Sequence, residues 1–178
     1  MAGFKFRKNL DGGAYVPSLI YAIGKDSIIF SVGDVVRLNT SGNFDLSTTT
    51  EQLFGVVATV VDPKGIPVTP DSGTTNTWTM PATNTTVAKR EVAVIPAFGH
   101  YAFSCDSDTT IELASLGKYF ALNSTSDGVV TSGESATVGA LDCQLIGVDP
   151  DNNADASMGL YRFINTQVGQ LTLDSQDA

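Results

Sequence analysis

Apolar residues along this chain fall in short runs and show no long helical period. The runs read "DVVRL", "LFGVVATVV", "EVAVI", "HYAFSC", "KYFAL", "QLIGV", "GLYRFI" and "QLTL", with Gly, Asn, Asp and Ser between them. Short β-branched and aromatic runs bounded by turn formers predict strands. Several recur about every ten residues, the rhythm of an all-β antiparallel barrel or sandwich. Pro96 cannot donate to a ladder, so the "EVAVI" strand should end or bulge there. "STTTEQL", Ser47 to Leu53, allows one helical turn at most, and its Thr cluster favours a loop. Val35, Leu38, Phe54, Val56, Val94, Leu122, Leu145 and Ile146, the β-branched and large apolar residues of the best-defined strands, are expected mostly inside. Leu145 and Ile146 are neighbours, so both are buried only in a strand covered on its two faces.

Two stretches share one pattern. "GDVVRLNTSGNFDLSTTTEQLFGVV" runs from Gly33 to Val57, and "GKYFALNSTSDGVVTSGESATVGALDCQLIGVD" from Gly117 to Asp149. Gly33, Leu38 and Asn39 precede Gly117, Leu122 and Asn123 by 84 positions, whereas Gly55-Val56 precedes Gly147-Val148 by 92. Each copy opens on a Gly turn, runs along an apolar strand, turns at Asn with Ser, Thr and Gly, and returns through a Gly-interrupted strand. Two such hairpin units can bury one surface that neither buries alone. The fold expected is an all-β antiparallel barrel or sandwich of two similar hairpin units.

Between Asp62 and Arg90 the texture changes to "DPKGIPVTPDSGTTNTWTMPATNTTVAKR", with four prolines and eight threonines. This composition predicts an extended Thr/Pro-rich loop, 62–90, between two strands. Trp78 within it either tethers the loop to its own domain or contacts a partner.

Composition changes the picture in two ways. Charged residues are 16% of the 178, with Thr, Ser, Asn and Gly in their place, and apolar residues are 42%. Such a surface suits a protein lying against others, and the length suits one domain. Nineteen acids against ten bases give a net charge of -9, which argues against a nucleic-acid partner. Lys5, Arg7 and Lys8, however, stand in the first eight residues with no acid among them. Residues 1–15 are thus expected as a flexible basic arm on a β-rich domain of 16–178. Phe4 and Phe6 alternate with the bases, as on a strand added to a partner's sheet edge; the alternative is a frayed terminus. No run is long enough to cross a bilayer, and none has signal-peptide character, so a cytosol-like compartment and no membrane partner are expected.

Candidate chemistry is sparse. The single histidine, His100, alternates onto the face opposite Cys105, so no Cys–His dyad follows. Cys105 and Cys143 form no CxxC pair and read as reduced core thiols. Asp149, Asp151, Asn153 and Asp155 alternate like the start of a calcium loop, but Ala154 and Leu160 replace its Gly and closing Glu. No metal, cofactor or catalytic residue is therefore expected. Three glycosylation patterns, at Asn39, Asn84 and Asn123, read as products of composition.

With these residues in view, the chain resembles the small β-rich capsid decoration, or cement, proteins of tailed bacteriophages. The resemblance lies in "SVGDVVRLNTSGNF", "TTTEQLFGVVATVV", the looser second copy and "VAVIPAFGHYAFSC", over roughly residues 30–150. It implies a non-enzymatic protein, often trimeric, made in the host cytoplasm and seated on the outer capsid surface of the virion, bridging major capsid protein subunits. Phe4, Lys5, Phe6, Arg7, Lys8 and Trp78 are then the expected partner-binding residues. Two other readings stand beside this one. A virion fibre or tip domain binding a receptor or glycan is suggested by Trp78, and a carbohydrate-active enzyme by the many carboxylates.

Overall fold

A computed structural model describes residues 3–12, 17–47, 52–71, 76–84, 89–106, 111, 113–122, 143–148 and 158–168. Their strands are β1 (Lys5–Asn9), β2 (Ile20–Ile23), β3 (Ile29–Ser31), β4 (Val35–Leu38), β5 (Phe44–Leu46) and β6 (Gly55–Val61). There follow β7 (Thr77–Thr79), β8 (Glu91–Pro96), β9 (Tyr101–Asp106), β10 (Tyr119–Phe120), β11 (Cys143–Val148) and β12 (Met158–Phe163). A 3-10 turn at Leu113–Ser115 is the one helical element among the described residues. The first sheet has the order β1-β9-β12-β11-β10, the second β2-β8-β6-β4-β5, and β3 pairs with β7 in a third. All named strand pairs are antiparallel.

The all-β expectation holds, but the barrel alternative does not, because no sheet closes on itself. Among the described residues, one bridge joins the edges of the second sheet, between Gly24 and Phe44. A Cβ at Gly24 would lie 2.7 Å from Met80 Sδ, so the Met80 side chain would have to move to admit one.

The Val doublets explain how the layers are held. Val35 and Val56 enter an apolar cluster with Phe4, Phe103, Leu145, Tyr161 and Phe163 of the first sheet or its flank. Val36 and Val57 point the other way, into a cluster with Phe30 and Trp78 of the third sheet. The second sheet is thus apolar on both faces, and strands of that kind read as continuous hydrophobic runs. Of the residues expected inside, Leu38 and Ile146 are half-buried and the other six are buried. Ile146 alternates with buried Leu145 onto the opposite side, at an irregularity in the β11–β12 register between Leu145 and Gly147. β8 ends at Pro96, as expected from the missing N–H.

Both copies of the repeated pattern begin at a left-handed glycine, Gly33 with φ 92° and Gly117 with φ 83°. In both, the opening strand pairs with the closing one: β4 with β6, and β10 with β11. The registers differ. Val36 faces Gly55, but Phe120 faces Cys143 where the overlay would put Gly147.

Two expectations are corrected. Residues 5–9 are not a free arm but β1, the edge strand beside β9. The reason is apolar: Phe4 is 1% exposed, with ring contacts to Tyr161 and Phe163, and Phe6 meets Tyr101 and Phe103. Nor is 62–90 merely a loop. Residues 66–68 fold back on β6, Val68 N–H donating to Val60 O at 2.9 Å, and β7 pairs with β3.

Candidate functional site

β1 divides its residues by face. Phe4 and Phe6 point into the first cluster, while Lys5, Arg7 and Lys8 are exposed. The β1–β9 register shifts between Phe6 and Lys8, so Lys5 lies opposite Ser104 and Lys8 opposite Ala102. A bulge here turns two successive side chains outward, and Arg7 Nε donates to Ser104 Oγ at 2.9 Å. The three bases are therefore carried by a strand of the body and presented on its edge. Lysines and a bulge on an edge strand also discourage pairing with another chain.

The other expected partner residue lies elsewhere. Trp78 is 3% exposed in the second cluster, and its Nε1 donates to Val68 O at 2.8 Å. The tether is the alternative the structure shows, and Trp78 is removed from any outer surface. Two further anchors hold the same segment. Asp71 accepts the Thr79 amide, a bond that holds its carboxyl below the usual value of 3.8; the Thr79 side chain acts in the same direction, desolvation opposes it, and nearby Arg90 adds the least. Asn84, fully buried, donates through Nδ2 to Gly24 O (2.8 Å) and Arg90 O (2.9 Å) and accepts from Arg90 N. A glycan cannot be attached to that nitrogen in the folded chain. Asn39 caps its own turn, with Oδ1 accepting from Ser41 and Asn43 N–H. Asn123 lies outside the described residues.

The buried carboxylates are used structurally. Asp34, from the Gly-Asp opening, accepts Ser31 N–H at 2.7 Å and closes the turn into β4. Asp45 meets Lys25 at 2.6 Å and Arg37 at 3.6 Å, beside the bridge joining the second sheet's edges. His100 stacks on Phe98 at 5.4 Å and meets the edge of Tyr101 at 4.5 Å, while its carbonyl accepts from Leu10. Cys105 and Cys143 are buried in the first cluster, the core position expected of them. Among the described residues, no group of three or more His, Cys, Asp or Glu is placed to hold a metal. The Asp149, Asp151, Asn153 and Asp155 stretch lies outside them, as does "QLTL". So does most of "STTTEQL".

One residue escaped the sequence reading. Arg162, in the middle of "GLYRFI", has its Nε donating to Gln144 Oε1 at 2.7 Å, on the outer side of the first sheet. An arginine inside an apolar alternating run is the signal that would have found it. Comparison with protein-family models, curated proteins and solved structures gave no match.

Proposed function

We propose that this chain is a non-enzymatic attachment protein of a phage capsid, seated on the outer surface against the major capsid protein and acting as a homo-oligomer, of trimeric order. The observation that carries the reading is the exposed base triplet of β1, on a chain whose remaining residues hold seven bases against nineteen acids. A rigid strand presents charge with little ordering cost, unlike a disordered arm, which loses about 1–2 kcal/mol of backbone entropy per residue on docking. Opposite charge on the partner then speeds encounter and fixes orientation, over a screening length of about 10 Å at 0.1 M salt. The resemblance in "GDVVRLN" and "LFGVVATVV" supplies the capsid as partner. We read the body as a sandwich of two related hairpin units; the matching left-handed glycines Gly33 and Gly117 support this. The fibre or tip reading loses its main support, since Trp78 is a core side chain.

The test is co-sedimentation with purified capsids that lack the protein. The K5Q/R7Q/K8Q variant should decorate them less fully than the intact chain, and the intact chain should be released by salt. Equal decoration by both would end the proposal. Light scattering of the free protein checks the trimer.

A further inference from the structure

The bases of β1 belong to a wider face. Side chains of the first sheet alternate between the apolar cluster and the opposite side, and Phe103, Tyr161, Leu145 and Phe120 all enter the cluster. Their neighbours Ala102, Arg162, Gln144 and Tyr119 are thereby turned to the opposite side, where Arg162, Gln144 and Tyr119 are half-buried and Ala102 lies covered beneath its neighbours. The register joins them in one row: Tyr119 faces Gln144, Gln144 faces Arg162, and Ala102 faces Lys8. Arg162 and Ala102 stand one step beyond the facing pair Tyr161 and Phe103. A base from the far part of the chain is thus brought to the same surface as Lys5, Arg7 and Lys8.

Four of the bases elsewhere have acidic partners. Lys25 and Arg37 meet Asp45, Lys89 meets Glu91, and Arg90 meets Asp71. Lys5, Lys8 and the terminal nitrogens of Arg162 have no such partner among the described residues. Arg162 is nevertheless held in place. Its Nε donates to Gln144 Oε1, and Gln144 Nε2 donates to Gly117 O at 2.7 Å, so the left-handed turn of the second repeat anchors the relay. A guanidinium fixed through Nε by a neutral oxygen keeps its charge and its terminal fork, the geometry that matches a carboxylate.

We infer that the outer face of the first sheet recognises clustered carboxylates on a partner protein, with Arg162 as its specificity contact. This deepens the attachment reading and rests on it. Arg162 and Lys8 sit two strands apart, about 10 Å, which sets the spacing of the acidic groups they take. A polynucleotide is disfavoured. A sheet that reads bases offers stacking aromatics, and this row has Tyr119 alone.

The experiment is a calorimetric titration of the full chain with poly-L-glutamate and with single-stranded polydeoxythymidine, across a salt series. The polyglutamate should bind, and Arg162→Gln should weaken it about fivefold, the scale of one cation at an oppositely charged surface. Arg162→Lys should recover only part of the loss. Gln144→Leu, which changes no charge, should weaken binding while leaving the salt slope unaltered, an effect that net charge alone does not produce. Melting curves check that each variant folds, and Arg162→Lys carries the test if Arg162→Gln does not. Unchanged binding by the Arg162 variants overturns the inference, as does tighter binding of polydeoxythymidine. If Arg162-dependent polyglutamate binding is found but bare capsids are not decorated, the capsid reading falls and this one stands. Decoration that needs the β1 bases but ignores Arg162 is the reverse result.

Discussion

With its carboxamide buried, Asn84 ties Gly24, at the end of β2, to Arg90, at the start of β8. Replacing it by Ala leaves the Gly24 carbonyl and the Arg90 amide without partners inside the protein, while the Arg90 carbonyl keeps the Gly24 N–H. That should cost about 2–4 kcal/mol, from one to three kcal/mol for each orphaned group, partly relieved by water. Urea unfolding of Asn84→Ala measures it. Nothing in the sequence marks this residue as a buried tie, because Gly24 stands 60 positions away and Asn84 is one polar residue in a Thr/Asn-rich stretch. Gly55 and Gly147 present the opposite case, alike in the repeat and unlike in space. A Cβ at Gly55 would lie 2.2 Å from Ile95 O, whereas at Gly147 its nearest neighbour is 3.7 Å away. Gly55→Ala should be strongly destabilising, by about 3 kcal/mol or more, and Gly147→Ala should stay within about 1 kcal/mol. Thermal melts of the two variants decide it. Asp71 gives a pH effect of defined sign. Its folded carboxyl titrates below 3.8, so its hold on Thr79 is complete above that value and is lost as pH falls through the lower, folded one. A carboxyl titration by nuclear magnetic resonance, followed at the Thr79 amide, should show a midpoint below 3.8.

At the scale of the element, the strands richest in β-branched residues were legible from their runs: β4, β6, β8, β9, β11 and β12 each fall within or beside a run read from sequence. β1, β3, β5 and β7 were not. "KFRKN" carries three bases in five residues and reads as a loose end. It becomes a strand because β9 offers an edge and because Phe4 and Phe6 find aromatic partners. β7, "TWT", likewise gains order from Trp78 and from its ladder with β3, neither visible locally. The candidate site was legible by halves. The charge asymmetry was evident, but the assignment of both phenylalanines to a partner was not correct, since local alternation does not say whose core they enter. Deleting residues 1–8 or making Phe4→Ala/Phe6→Ala should therefore lower stability. Phe4→Ala alone should cost about 3–5 kcal/mol, the range for a buried Phe, and equilibrium unfolding will show it. Neutralising the three exposed bases should leave the melting temperature within a few degrees, about what surface changes do.

Across the whole molecule, two apolar clusters lie on opposite faces of one sheet, and single strands feed both. Val56 and Val57 are adjacent on β6, so losing either cluster strips one face of the same strand. Unfolding should follow as one transition. Trp78, the one tryptophan of the chain, reports the second cluster by fluorescence, and the ring resonances of Tyr101 and Tyr161 report the first by nuclear magnetic resonance. Their midpoints in urea should coincide; separated midpoints would mean two independent units. The same topology bears on synthesis. Arg7 and Ser104 are bonded across 97 positions of chain, so β1 leaves the ribosome well before the strand it pairs with exists. At about 5–20 residues per second, that wait is roughly 5–20 s. Throughout it Phe4 and Phe6 have no edge to join, and the flanking charges act as gatekeepers against aggregation of nascent chains. Lys5, Arg7 and Lys8 then serve before folding as well as after it, and their neutralisation should reduce the soluble yield more than the stability of the chains that fold.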